Sequence, residues 1–194
     1  MSFGITLLIE SNLGATAWDV LSIGLFKTFG LTVGTWAQIV GFVLLVIIYV
    51  LERKIPKIGT VLNMVLVGVF IDFFLWLLPS IEIVWLQFTM MFTGIIIMGM
   101  GSGMYITSQL GAGPRDGLML VLSKRLNWSI KKIKTVMEIV VLIIGWFLGG
   151  PVFIGTFLFS IFIGPIMQFF ITWWGIKLNQ ILTFQTIEEK RGIA

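Results

Sequence analysis

Leu110-Gly111-Ala112-Gly113-Pro114-Arg115-Asp116-Gly117-Leu118 matches an earlier stretch, Leu13-Gly14-Ala15-Thr16-Ala17-Trp18-Asp19-Val20-Leu21, at its Leu, Gly, Ala, Asp and final Leu. The offset is 110 − 13 = 97 residues. Met1, Gly4, Ile9 and Ser11 meet Met98, Gly101, Ile106 and Ser108 at that same offset, and Lys27 meets Lys124. Further along, Ile58-Gly59-Thr60 falls on Ile154-Gly155-Thr156 at an offset one shorter. Shared Leu and Ile mean little between apolar helices. Shared Gly, Thr, Asp and Lys at constant spacing indicate a duplication, the feature to seek before any other.

The composition decides the solvent of both copies. Of the 194 residues, 58% are hydrophobic and 11% charged, with a mean hydropathy of +1.06. A soluble domain carries about 25% charged residues and could not hide this much apolar surface from water. The bilayer is the expected solvent. With no Cys and no His, disulfides, thiolate or imidazole metal sites and the nucleophilic triads that need either residue are excluded. No metal, cofactor or nucleic-acid partner is expected. The net charge of +4 reads first as membrane orientation.

A span needs about 20 apolar residues. Such segments are read at 1–12 (short), 34–51, 58–78, 84–108, 132–149 and 152–175. Two half-length amphipathic segments, 15–28 and 114–126, each follow a glycine break. The expected fold is therefore all-α: a polytopic membrane protein of about six transmembrane helices in two three-helix repeats. Each repeat has a short re-entrant or interfacial helix. Residues 1–79 form the first repeat, 84–176 the second, and 177–194 a polar cytoplasmic tail. Met1 aligns with Met98 while the second copy opens at Val84, so the first copy is expected to lack 98 − 84 = 14 residues.

Charge placement orients the copies. Arg53, Lys54 and Lys57 put one loop inside, and the region from Arg115 to Lys134, with Lys124, Arg125, Lys131 and Lys132, faces in as well. The uncharged turn Gly149 to Val152 and the acidic Pro79 to Ile83 face out. Three spans per copy then make the repeats inverted, the organisation typical of secondary transporters. Lys27 alone lies on the wrong side.

The glycine breaks are the candidate solute sites. Pro114 suits the first position of a helix, and the free N–H groups of a helix N-terminus attract anions. Arg115 adds a planar guanidinium. Gly14, Asp19, Gly111, Gly113 and Asp116 complete the candidate binding set; the alternative is a pair of interfacial helices lying flat at the surface, with Asp19 and Asp116 as solvated caps. Asp72 and Glu138 stand inside spans, where acids are expensive and frequently functional; either is a candidate proton carrier. The alternative for Asp72 is a cap near its span end, and for Glu138 a pair with Lys134 one turn away. Met and Phe side chains are assigned by default to packing or lipid.

The Gly14-Ala15-x-x-Trp18-Asp19-Val20-Leu21 run, Gly30-x-x-x-Gly34, Ile58-Gly59-Thr60 and Leu110 to Leu118 together resemble the YczE/YyaS/YitT-type bacterial integral membrane proteins. The likeness covers nearly the whole chain. It departs in reading Ala15-Thr16-Ala17 where Gly-x-Pro is the usual form. The resemblance implies a multi-pass protein of the bacterial cytoplasmic membrane and names no substrate. The functional expectation is a secondary transporter or exporter of a small anionic or zwitterionic solute. A non-transporting scaffold or accessory protein of a biosynthetic or export system is the alternative. An enzyme is not expected, since no acidic pair has catalytic spacing. So small a chain is open to homodimer formation, with no residue specifying an interface.

Overall fold

In the computed structural model, which describes residues 1–192 except Gln109 and Ala112, and side chains other than those of residues 131 and 181–192, the chain is all-helical. The helices are α1 (Ser2–Glu10), α2 (Ala17–Phe29), α3 (Val33–Glu52), α4 (Ile58–Leu77), α5 (Val84–Thr107), α6 (Pro114–Leu126), α7 (Ile130–Phe147) and α8 (Ile154–Gly192). Among the described residues four of them, α3, α4, α5 and α8, are long and apolar enough to cross a membrane. Helix α1, at nine residues, reaches only about 14 Å at 1.5 Å per residue. Helix α7 has 18 residues but carries Lys132, Lys134 and Glu138. This is an all-α membrane protein.

Local signals set the helix ends. Thr16 caps α2 by accepting a bond from the Asp19 N–H, Thr32 caps α3 from Thr35, and Ser129 caps α7 from Lys132. Each leaves one fewer orphan donor at a helix N-terminus. Pro114 opens α6 as its sequence position demands, and Asn127 closes it in the left-handed conformation. One expectation is corrected. Segment 114–126 is not amphipathic: its charge is divided along the axis, Arg115 and Asp116 at the start and Lys124 and Arg125 at the end. Helix α8 runs on past residue 177 through Gly192. Residues 176–191 contain no proline or glycine to stop it.

Packing is apolar on both sides of the helices. Trp76, Trp85 and Phe147 are each at least 80% exposed, the reverse of a water-soluble surface and the expected face toward lipid. Within the bundle α5 packs on α1 and α8, α1 on α4, α3 on α2, α4 and α6, and α7 on α2 and α6. Small residues set the closest crossings. A Cβ on Gly4 of α1 would lie 2.7 Å from the Gly94 carbonyl oxygen of α5, and one on Gly94 would lie 2.8 Å from that of Gly4. Lipid offers no hydrophobic drive between helices, so such close backbone approach supplies much of the association. Buried Leu8, Met91, Ile95 and Phe159 fill the space beside this crossing.

Helix ends are also tied across the bundle. On α4, Asp72 accepts from the Thr32 hydroxyl at 2.5 Å and the Gly34 N–H at 2.7 Å, so one carboxylate caps α3 from outside its own segment. Asp72→Ala is expected to cost about 1 kcal/mol of stability, read as a lowered denaturation midpoint in detergent, and to leave any solute binding unchanged. At the other ends, the Thr28 hydroxyl donates to the Leu148 carbonyl at 3.2 Å and Lys27 Nζ to the Gly149 carbonyl at 3.0 Å. Correspondingly, the Arg125 guanidinium donates to the Leu51 carbonyl. Lys27, misplaced by loop charge counting, thus satisfies the carboxyl end of α7.

Candidate functional site

The two glycine breaks lie against the starts of two long helices. Gly14 has φ +123° and faces Thr156 of α8; Gly111 has φ +139° and faces Thr60 of α4. Both conformations suit glycine alone. At the first break the Gly155 N–H also donates to the Leu13 carbonyl at 2.6 Å. These seats aim the helices that follow: α2 and α6 meet through the side chains at their N-termini, while their C-termini hold the carboxyl ends of α7 and α3.

Where the N-termini meet, Arg115 Nη2 stands 3.7 Å from Asp19 Oδ1. Asp19 is 1% exposed and Arg115 30%. The Thr16 hydroxyl donates to Asp19 Oδ2 at 2.6 Å while accepting the Asp19 N–H, a reciprocal cap that fixes the carboxylate. The Arg115 guanidinium lies 5.1 Å from the Trp18 ring centre, within cation–π range. Trp18 and Arg115 hold the same position in their two helices, each the second residue, and Asp19 and Asp116 are each the third. Helix α2 therefore contributes the aromatic and the buried acid, and α6 the base that binds both.

Beside this contact lies a cavity of about 510 Å³, inside the range of small-molecule pockets (about 300–1,000 Å³). Arg115 and Asp116 of α6, Lys134 and Glu138 of α7, and Trp18 of α2 line it, with Asn63, Ser102, Tyr105 and Ser160 as further polar groups. Thr156 also lines it. Its side-chain hydroxyl is buried without a hydrogen-bond partner among the described residues, the residue being 3% exposed. A buried polar atom left unpaired costs about 1–3 kcal/mol; this one packs against the Gly14 break.

Of the residues singled out from sequence, Arg115, Asp116, Gly113 and Glu138 line the cavity, and Asp19 sits directly behind Arg115. Gly14 and Gly111 shape the breaks rather than the wall. Asp72 is not on the cavity wall and is engaged at the start of α3. Ala112 lies outside the described residues. Sequence reading missed Lys134 as a wall group, Trp18 as the partner of Arg115, and six methionines, Met1, Met64, Met98, Met119, Met137 and Met167, that face the cavity rather than lipid. Thr156 had a signal: its place after the glycine that opens α8, matched by Thr60.

Known proteins bear out the resemblance. A family model described as a family of unknown function (DUF6198) matches residues 1–172. The uncharacterised membrane protein YczE of Bacillus subtilis (strain 168) is 40% identical over 170 residues, covering 87% of this chain and 79% of that one. An uncharacterised protein of Haemophilus influenzae is 32% identical over 171 residues, covering 88% and 78%. The uncharacterised protein YyaS of Bacillus subtilis (strain 168) is 30% identical over 163 residues, covering 81% and 80%. No solved structure matches the chain. By the extent of the family match and the identity to these relatives, the chain belongs to the DUF6198 family.

Proposed function

We propose that this membrane protein is a secondary transporter of a small solute in the bacterial cytoplasmic membrane, with the cavity between α2 and α6 as its carrier site. The observation that carries the reading is the convergence of two half-helix N-termini on one cavity. That cavity is lined by Arg115, Asp116, Lys134 and Glu138. Paired broken helices at corresponding places in two halves are the arrangement that builds such sites.

In this reading the chain is two inverted repeats of three spans, with α2 and α6 re-entrant and the C-terminus cytoplasmic. The cross-contacts support the repeat. The first break seats on the start of α8 and the second on the start of α4. Thr28 ties to Leu148 and Arg125 ties to Leu51, and each residue of one tie lies 97 positions from its counterpart (125 − 28 and 148 − 51). Six spans require α1 and α7 to cross together with their neighbours, which the basic residues Arg53, Lys54 and Lys57 together with Lys134 favour by the positive-inside rule.

An anion held on Arg115 alone fits the geometry poorly, because Asp19 already neutralises that guanidinium and Trp18 packs against it. Arg115 instead joins the two half-helices, and the groups left for solute and proton are Asp116, Lys134 and Glu138. Asp116 or Glu138 carries the coupling proton, and Asp72 takes no part. Purified protein is expected to gain thermal stability with a solute from a broad panel of amino acids, carboxylates and amines. A ligand at a hundredfold excess over its Kd adds about 2.7 kcal/mol. Asp116→Asn and Glu138→Gln should abolish the gain. A folded wild type inert across the panel would favour the scaffold role.

A further inference from the structure

We propose that the cavity opens sideways into the bilayer between α7 and α8, and that its solute is a single-chain amphiphile drawn from lipid. The inference rests on the cavity being the carrier site and names the class of molecule that reaches it. The offset between the two copies pairs helices α1, α2, α3 and α4 with α5, α6, α7 and α8. Among the described residues, the packed pairs α1–α4, α2–α3 and α3–α6 then have counterparts in α5–α8, α6–α7 and α2–α7. The pair α3–α4 has none, because α7 and α8 make no comparable packing. Residue types explain the difference. Helix α3 lies on α4 through glycine: a Cβ on Gly68 would stand 2.6 Å from the Gly34 carbonyl oxygen, and one on Gly41 2.7 Å from Met64 Cγ. In α7 the matching positions carry Lys131 (131 − 34 = 97) and Glu138 (138 − 41 = 97). Without those glycines the two backbones cannot approach as closely. Gly164 of α8 matches Gly68 (164 − 68 = 96), yet a Cβ on it would meet no atom of another helix within 4 Å among the described residues.

Both sides of this seam line the cavity, Glu138, Ile139 and Leu142 from α7 and Phe157, Ser160 and Met167 from α8. The rim is apolar, with Ile139, Ile143, Phe157 and Ile161 exposed, so the medium outside it is hydrocarbon rather than water. The ionisable groups Asp116, Lys134 and Glu138 stand on the α6–α7 wall, whereas α8 contributes mainly Phe157, Phe159, Ile163 and Met167. One wall suits a polar head and the other a hydrocarbon chain. About 510 Å³ is a drug-sized space, enough for a head and the first part of one chain. The rest of the chain then stays in lipid through the open seam.

The test uses the full chain in phosphatidylcholine proteoliposomes and a lysophosphatidylcholine that carries a diazirine in its acyl chain. After illumination, adducts are mapped by mass spectrometry. Adducts are expected on Leu142, Phe157 or Ser160 of the seam. Excess unlabelled lysophosphatidylcholine should suppress them, and glycerophosphocholine, the same head without a chain, should not. Adducts on the outward-facing Ile143 and Ile161 should resist both competitors. Ser160→Trp places an indole in the seam and should lower the cavity adducts by about tenfold or more. If that variant fails to fold, the two competitors on wild type still decide. No cavity adduct, adducts that excess unlabelled lipid leaves unchanged, or equal suppression by glycerophosphocholine overturns the proposal. Saturable cavity adducts without movement of the lysolipid between leaflets would sink the transporter reading and leave this one standing. Uptake of a water-soluble solute by a protein whose seam takes no adduct would do the opposite.

Discussion

Arg115→Met is expected to destabilise the folded protein by about 3 kcal/mol, because it removes the counter-charge of a carboxylate that has no access to water. Asp19 is 1% exposed, and the Thr16 hydroxyl satisfies only one of its oxygens. Methionine keeps most of the apolar stem that Arg115 lays against Trp18, so lost packing contributes little to the effect. The double variant Asp19→Asn/Arg115→Met should recover most of the loss, since an amide tolerates burial better than an unpaired charge. Denaturation midpoints of the four members of the cycle measure this. Additive losses would mean that α2 and α6 are held by something other than this pair.

Gly14→Ala should be comparably severe for a different reason. The residue sits at φ +123°, and a Cβ there would lie 2.7 Å from both the backbone nitrogen and the side-chain oxygen of Thr156. Strain of about 1–3 kcal/mol for the backbone adds to overpacking of about 1–3 kcal/mol. The Thr156 nitrogen belongs to the first turn of α8 and cannot retreat without shifting that helix. Size-exclusion profile and midpoint should both deteriorate. Ser at the same position should do no better, because the fault is the Cβ and the dihedral rather than polarity.

Both variants concern features that differ in how far they can be read from residues alone. The helix over 114–126 is legible because Gly113-Pro114 and Asn127 bracket it, and the start of α2 because Thr16 and Asp19 form a local cap. The breaks are legible because Gly14 and Gly111 recur at one offset. Contacts made across the bundle are not legible in the same way. Nothing local to Lys27 reveals that it reaches Gly149, and nothing near Arg115 reveals a partner 96 residues earlier (115 − 19). Met98 and Met167 are indistinguishable in sequence from lipid-facing methionines, since in a membrane both faces of a helix are apolar and periodicity loses its contrast.

The account stands or falls on whether the cavity is reached from both sides of the membrane. The chain has no native cysteine, so Ser160→Cys introduces a single thiol on the cavity wall with little change of volume. A membrane-impermeant thiol reagent is then applied to right-side-out and to inside-out vesicles. Labelling in both orientations, slowed by any solute that stabilises the protein, is the predicted result. Labelling from one side only, or from neither, would contradict a carrier that alternates access to this cavity.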